Sequence, residues 1–288
     1  MPPQKKGKRQ RSQEKPTPVP PTTHSVALAT IRDATVAFGA EYGALMVPVE
    51  RRITQYLRQQ RLFVVGGRNS VSGVLRTCYS LDVVAGVWVE ETPMNEGRYD
   101  FGMCVLRGDL WAVGGLGRNE GSALRSCVRL DMATHTWVRG PDMTTARWWV
   151  GVGVINGEVW ALGGIDSAYN RLSSCERLDA VTGTWIAGPD MAKPHKGHRV
   201  VVLRGELWVV AEDCRTTEHL DAATNRWVRG PDHRLTRHSF AVTVYRGQLW
   251  AAGGVERGVL YLPRCCLQHM DGGTLYEQSP SLAQPCCA

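Results

Sequence analysis

No run in this 288-residue sequence reaches the roughly 20 consecutive apolar positions that a membrane-spanning helix requires. The nearest candidate, Ser25 to Val49, is interrupted by Arg32, Asp33 and Glu41. A secretory leader is missing too, because the opening MPPQKKGKRQRSQEK is basic with no apolar stretch behind it. Cysteine gives no framework: nine residues are an odd number, scattered along a chain without a leader, so reduced thiols are expected rather than disulfides. Lysine almost vanishes after residue 15, leaving only Lys193 and Lys196. There is no paired-carboxylate motif, HExxH, nucleophile elbow or phosphate-cradling loop. These absences argue for a soluble intracellular protein with no catalytic residues, no metal and no cofactor.

What is present begins with a divided charge. The chain carries a formal +7. Lys5, Lys6, Lys8, Arg9, Arg11 and Lys15 stand against Glu14, so residues 1–15 account for +5 and the remaining 273 residues for only +2. A nearly balanced body argues against a broad nucleic-acid-binding face. Residues 1–24, ending in PTPVPPTTH, read as a disordered basic and Pro-rich tail. Two uses of the tail stay open: a solubilising segment, or a nuclear import signal in Lys5–Arg11 that would add the nucleus to a cytoplasmic location. Residues 25–46 form a degenerate segment, and 47–288 are the folded body.

Self-similarity dominates that body. Glycine pairs stand at Gly66–Gly67, Gly114–Gly115, Gly163–Gly164 and Gly253–Gly254, with Ala211–Glu212 at the fourth of five registers. An aromatic residue precedes each pair position by three: Phe63, Trp111, Trp160, Trp208 and Trp250. Leu-Asp follows at 81–82, 130–131, 178–179 and 220–221, and six residues beyond each aspartate comes Trp88, Trp137, Trp185 or Trp227. Arg98, Arg147, His195 and Arg237 close each unit at one register.

Each unit reads as four short strands. In the third, RWWVGVGVING alternates large and small residues into an Asn156–Gly157 hairpin turn, and EVWALGG, SSCERLD and TWIAGPD supply the remaining strands. A four-stranded sheet of this size cannot bury both faces alone. Sheets placed around an axis bury one another's faces, which predicts an all-β β-propeller of four-stranded antiparallel blades. A linear solenoid is the geometric alternative, and no polar capping repeat favours it.

The glycine pair after an apolar strand, the Leu-Asp, the tryptophan six residues later and the Pro-x-Met with arginine resemble the kelch repeat family over about residues 47–282. The resemblance implies a propeller whose first strands line a central channel, with glycines and tryptophans packed between blades. Five repeats are clear. DATVAF in the 25–46 segment echoes the outer-strand sequences DAVTGTW and DAATNRW and suggests a partial sixth blade. The fourth repeat, LWVVAEDCRTTEHLD, lacks the glycines and loses about six residues of connecting loop.

Recurring residues are expected to be scaffold. By that rule Gly66, Gly67, Gly114, Gly115, Gly163, Gly164, Gly253, Gly254, Trp88, Trp137, Trp185, Trp227, Arg98, Arg147 and Arg237 are structural. Cys78, Cys127 and Cys175 read as small buried apolar residues on third strands. Binding information should lie where the repeat breaks. The family's arrangement places the loops between strands two and three on the same rim as the blade-to-blade loops. Those loops present Arg68, Asn69, Tyr99, Arg118, Asn119, Trp148, Asp166, Tyr169, Asn170, Arg171, Lys196, His238, Glu256 and Arg257. Arginine, tyrosine and tryptophan on a concave rim suit protein recognition, and the excess of arginine suggests an acidic or phosphorylated segment.

The expected function is therefore a non-enzymatic kelch adaptor that binds a protein partner through its rim. The family implies a role in substrate recognition for ubiquitin ligases, although no BTB or F-box pattern is evident in this chain. Family alternatives are a metal-dependent oxidase, a sugar isomerase or lyase, and an actin-binding protein. His195, His198, His219, His233 and His238 crowd late in the sequence, but only His198 and His238 fall outside the structural registers on neighbouring first strands. The C-terminal QPCCA has Pro285 where a prenylation box needs cysteine.

Overall fold

The structure, a computed structural model, describes residues 27–30, 61–83, 85–118, 122–212, 216–232, 237–245, 247–256, 267–271 and 274–278. Every described element is a strand. The first sheet is built from β1 (Ala27–Thr30) and β2 (Arg61–Val65). A small side hairpin, β3 (Arg68–Asn69) with β4 (Gly73–Val74), interrupts the chain before β5 (Cys78–Asp82) and β6 (Val87–Glu91) complete the sheet. The second holds β7 (Gly102–Leu106), β8 (Asp109–Val113), β9 (Cys127–Asp131) and β10 (Thr136–Arg139). The third holds β11 (Gly151–Ile155), β12 (Glu158–Leu162), β13 (Cys175–Leu178) and β14 (Trp185–Ala187), and the fourth β15 (Arg199–Leu203), β16 (Glu206–Val210), β17 (Thr217–Asp221) and β18 (Arg226–Arg229). The fifth holds β19 (Arg237–Tyr245), β20 (Gln248–Glu256), β21 (Leu267–Asp271) and β22 (Thr274–Gln278). Each four-stranded sheet is antiparallel with its strands in chain order.

Local chemistry explains the repeat. Strands one and two are joined by two-residue turns at Arg107–Gly108, Asn156–Gly157 and Arg204–Gly205, all six residues at positive φ. This is the turn whose twist matches that of antiparallel strands. The Leu-Asp signature makes the turn between strands three and four. Oδ1 of Asp131, Asp179 and Asp221 accepts two successive backbone N–H groups, and Asp82 accepts that of Ala85. Those bonds hold the carboxyl groups of Asp131, Asp179 and Asp221 below the ordinary aspartate range.

The core lies between blades rather than within them. One cluster joins Phe63, Val65, Cys78 and Met94 of the first sheet to Leu110, Val128, Leu130 and Trp137 of the second. A second joins Trp111, Val113, Cys127 and Met143 to Val152, Val159, Leu178 and Trp185 of the third. Two more repeat the pattern up to Phe240 and Leu249. The tryptophan of strand four stitches each seam. Nε1 of Trp137, Trp185 and Trp227 donates to the carbonyl of Thr92, Pro141 and Pro189 in the preceding sheet, at 2.8, 3.0 and 2.9 Å. First strands neighbour one another in the order β1, β7, β11, β15, β19. This is the radial arrangement of a β-propeller.

Two details differ from the sequence reading. Ala27–Thr30 pairs with Arg61–Val65 and so forms the innermost strand of blade one, in register Ala27 with Val65. The folded body thus reaches upstream of residue 47, while DATVAF lies outside the described residues. Gly253 and Gly254 fall inside β20 instead of after it, because the hairpin of blade five extends to nine residues a side.

Candidate functional site: the shared loop rim

The joint between consecutive blades sets the rim. Gly66, Gly114 and Gly163 follow strand two with φ of 59°, 65° and 53°. Each sits against the carbonyl of Arg98, Arg147 or His195: a Cβ on Gly66 would lie 2.6 Å from the Arg98 oxygen, and one on Gly163 2.8 Å from that of His195. The next glycine donates its N–H to the same carbonyl, at 2.9 Å for Gly67, 2.8 Å for Gly115 and 2.8 Å for Gly164. Only a residue without a side chain fits both the left-handed angle and the approach. In blade four Ala211 holds the register, does not adopt positive φ, and donates to Thr216 across a shortened loop.

From this anchor the side chains reach into the following blade. Arg98 is fully buried and donates to the carbonyls of Gly114 and Ser126 and to Ser126 Oγ. Arg147, equally buried, makes the equivalent bonds to Gly163 and Ser174 and adds a carboxylate, Glu176, at 3.0 Å from Nη2. Burial works against ionisation of Glu176. The N–H groups of Thr144 and Thr145 and the Arg147 guanidinium outweigh it and hold the carboxyl below the usual range. In the next joint His195 Nε2 stands 3.0 Å from Glu218, which also accepts the Ala192 N–H. These groups are consumed by the scaffold.

Just beyond each anchor the two loop sets meet. Tyr99 exchanges both backbone hydrogen bonds with Leu116, and Trp148 does the same with Ile165. One residue further on, Asp100, Trp149 and Gly197 all have positive φ (53°, 49° and 62°). They link blade to blade: Trp149 N–H donates to the Asp100 carbonyl at 2.8 Å, and Gly197 N–H to the Trp149 carbonyl at 3.1 Å. This backbone ladder turns aromatic side chains outward. Tyr169 is 67% exposed and Trp149 36%. Trp148 lies between them, 4.8 Å from the Trp149 ring centroid and 6.1 Å, edge-on, from Tyr169. The Lys196 ammonium sits 4.8 Å over the Trp149 ring, and the Arg68 guanidinium 5.6 Å over Tyr99.

The profile of the Kelch motif matches residues 59–95, 97–144 and 150–192, in phase with blades one, two and three. Residues 59–192 are three kelch repeats. No curated protein matches this chain in sequence. Among solved structures, that of YjhT superposes with a TM-score of 0.63 over 76% of this chain and 81% of that one, at 14% identity, a likeness of fold alone.

Within this kelch scaffold the predicted rim residues divide into two groups. Asn69 and Asp166 serve their own loops. Asn69 Oδ1 caps the N–H groups of Val71 and Ser72 inside the side hairpin. Asp166 accepts from Ala168 and from both the backbone and side chain of Asn170. Arg68, Arg118, Tyr169 and Arg171 are exposed, with Tyr99, Trp148 and Lys196 half-buried beside them. His238 and Glu256 lie on β19 and β20, and Asn119 and Arg257 outside the described residues. Trp149 was missed by the sequence reading. Its signal was the doublet in RWWV, which puts an indole where the neighbouring repeats carry Asp100 and Gly197.

Of the late histidines, His195 and His198 are neighbours with ring centroids 5.9 Å apart, while His233 lies outside the described residues. His219 stacks on Trp208 at 4.5 Å and faces Glu206. His198 is buried against Gly151, and its burial, with His195 and Arg199 nearby, pushes its pKa down to about 3. Cys78, Cys127 and Cys175 are buried, and desolvation raises each thiol to about 12, which leaves them unreactive at neutral pH.

Proposed function

We propose that this kelch chain is a non-enzymatic interaction module that holds a protein partner on the loop rim, and that the partner presents an acidic segment. The observation that carries this reading is the Trp148–Trp149–Tyr169 cluster, three large aromatic side chains held at the rim by backbone pairing and flanked by Arg171 and Lys196. Rigid aromatic side chains with a polar handle give contact area at low entropic cost, and neighbouring cations select for opposite charge. An adaptor of this kind serves a ubiquitin-ligase pathway when another chain supplies the ligase contact, and co-purification of a cullin would mark that version.

Affinity purification of the full chain against the variant Tyr99→Ala, Trp148→Ala, Tyr169→Ala tests the reading. Partner recovery is expected to fall at least about tenfold, the equivalent of losing one interface anchor. Undiminished recovery of every partner would dismiss the rim as the binding surface.

A further inference from the structure

The chain enters the propeller on the side that carries the aromatic cluster. Ala27, the first residue of β1, pairs with Val65 at the end of β2, as Gly102 pairs with Val113 and Gly151 with Leu162. In blades two and three the residues three positions ahead of that pair are Tyr99 and Trp148, both on the rim. Residues 1–26 therefore lead into β1 from the rim. β1, β7 and β11 are successive first strands, each approaching the next to within 8 Å between Cα atoms. At no more than about 3.6 Å per residue, Pro21 can lie up to about 20 Å from Ala27 and Pro16 up to about 40 Å. The stretch Pro16–Pro21 has the reach to pass blade two and arrive at Trp149, just ahead of β11.

We infer that Pro16–Pro21 docks on the Trp148–Trp149–Tyr169 face of its own chain in polyproline II form and occupies the rim until a partner displaces it. The inference goes beyond the partner reading and does not depend on it. The cluster is a fixed platform. Trp149 and Tyr169 hold φ of 49° and 65°, a left-handed backbone uncommon for bulky residues, and the ring planes meet at 44° and 82° to give stepped faces. Exposed aromatic steps of this kind receive proline segments, whose helix is already stiff and loses little entropy on docking. Hydrogen bonding matches as well. The Trp149 indole N–H and the Tyr169 hydroxyl have no partner among the described residues, and a proline stretch offers free carbonyls with few N–H groups to compete for them. Within the stretch, Pro18 and Pro21 stand one turn apart on one edge of the three-residue helix. Charge allows the contact, because no Asp, Glu, Lys or Arg stands between Lys15 and Arg32, so the cations beside the cluster meet a neutral segment. Linkage through residues 22–26 holds that segment near the face at an effective concentration of roughly millimolar, which favours it over a second copy.

Fluorine NMR of the full chain carrying 5-fluorotryptophan tests this. Single Phe substitutions assign the Trp148 and Trp149 signals, and the seam tryptophans Trp137 and Trp185 report that the fold is intact. Pro18→Ala combined with Pro21→Ala is expected to move the Trp149 signal and leave the seam signals in place. A synthetic peptide of residues 14–24 should return the signal of that variant to its wild-type position. The variant should take up the peptide at least about tenfold more readily than the wild type, whose face is already filled. A Trp149 signal that ignores the proline substitutions would overturn the docking and leave the rim to its partner test. An equal shift with Arg9→Gln and Arg11→Gln would overturn it in favour of a charge effect, and a shift that weakens on dilution would overturn the intrachain contact in favour of a second copy. Undiminished partner recovery in the rim variant, with the proline-dependent shift present, would uphold the docking and remove the partner reading alone.

Discussion

Arg98 and Arg147 stand at one register of successive repeats, are both fully buried, and use the same fork to reach backbone carbonyls of the next blade. Only Arg147 meets a carboxylate. The residue that would face Arg98 is Val128, in the register of Glu176, and Nε of Arg98 has no acceptor among the described residues. Burial lowers the Arg98 pKa. The difference teaches that a buried arginine can serve the joint with or without a carboxylate, so the anion is a local addition in these two blades. Guanidinium can be satisfied by carbonyls because it is weakly hydrated and presents several donors in one plane. His195 with Glu218 shows the opposite substitution, in which the anion is kept and the donor shortened.

Arg147→Met should break the comparison hardest. It leaves Glu176 buried beside Thr144 and Thr145 without its cation, and loss of one partner of a buried pair costs about 3–5 kcal/mol. The pH dependence has a definite sign. A carboxyl held below its unfolded value stabilises the fold above the ordinary glutamate pKa of about 4.3, and the contribution fades as pH falls through the folded value. Denaturant unfolding should therefore show a large Arg147→Met deficit at pH 7 that narrows towards pH 3.5. A deficit independent of pH would assign the loss to packing alone.

Arg98→Met should cost less, about 1–3 kcal/mol, because it strands the carbonyls of Gly114 and Ser126 but no charge. The same unfolding experiment checks it, and its deficit should not change between pH 7 and pH 3.5. Equal losses for the two arginines would show that the carboxylate adds nothing.

Much of this joint was legible in the sequence, because a residue that packs identically in every blade recurs at a fixed spacing. Leu-Asp, the tryptophans and the glycine pairs are dictated by the turn, the seam and the carbonyl contact, and each leaves a periodic mark. The first strand of blade one was not legible. Ala27–Thr30 lies thirty residues before β2, and a four-residue strand separated so far from its partner has no spacing to betray it. The split of the rim was hidden for another reason. Asn69 and Asp166 look like ligands in sequence, yet an Asx side chain next to a turn is usually satisfied by its own loop. Trp149 carried the reverse disguise, since a tryptophan inside an apolar run reads as core until its backbone angle is known.

The finest test adds what blade two lacks. Val128→Glu places a carboxylate opposite Arg98 in the position Glu176 takes in blade three, with Asn95 and Glu96 in the registers of Thr144 and Thr145 to offer N–H groups. The gain is expected to be small, about 1 kcal/mol, because the charge-assisted bonds to Arg98 are offset by desolvation of the carboxylate and loss of the valine packing. For a domain of this size that is a rise in Tm of about 2–4 °C. The new carboxyl should be held below its ordinary value by the guanidinium, so the gain belongs to pH 7 and disappears, or reverses into a loss, below about pH 4. Thermal melts of wild type, Val128→Glu and Val128→Gln at both pH values separate charge from shape. A glutamine that stabilises as well as the glutamate would show that Arg98 wants an acceptor for Nε and is indifferent to its charge. A Val128→Glu melt below wild type at pH 7 would show that the joint of blade two has been repacked around its missing anion.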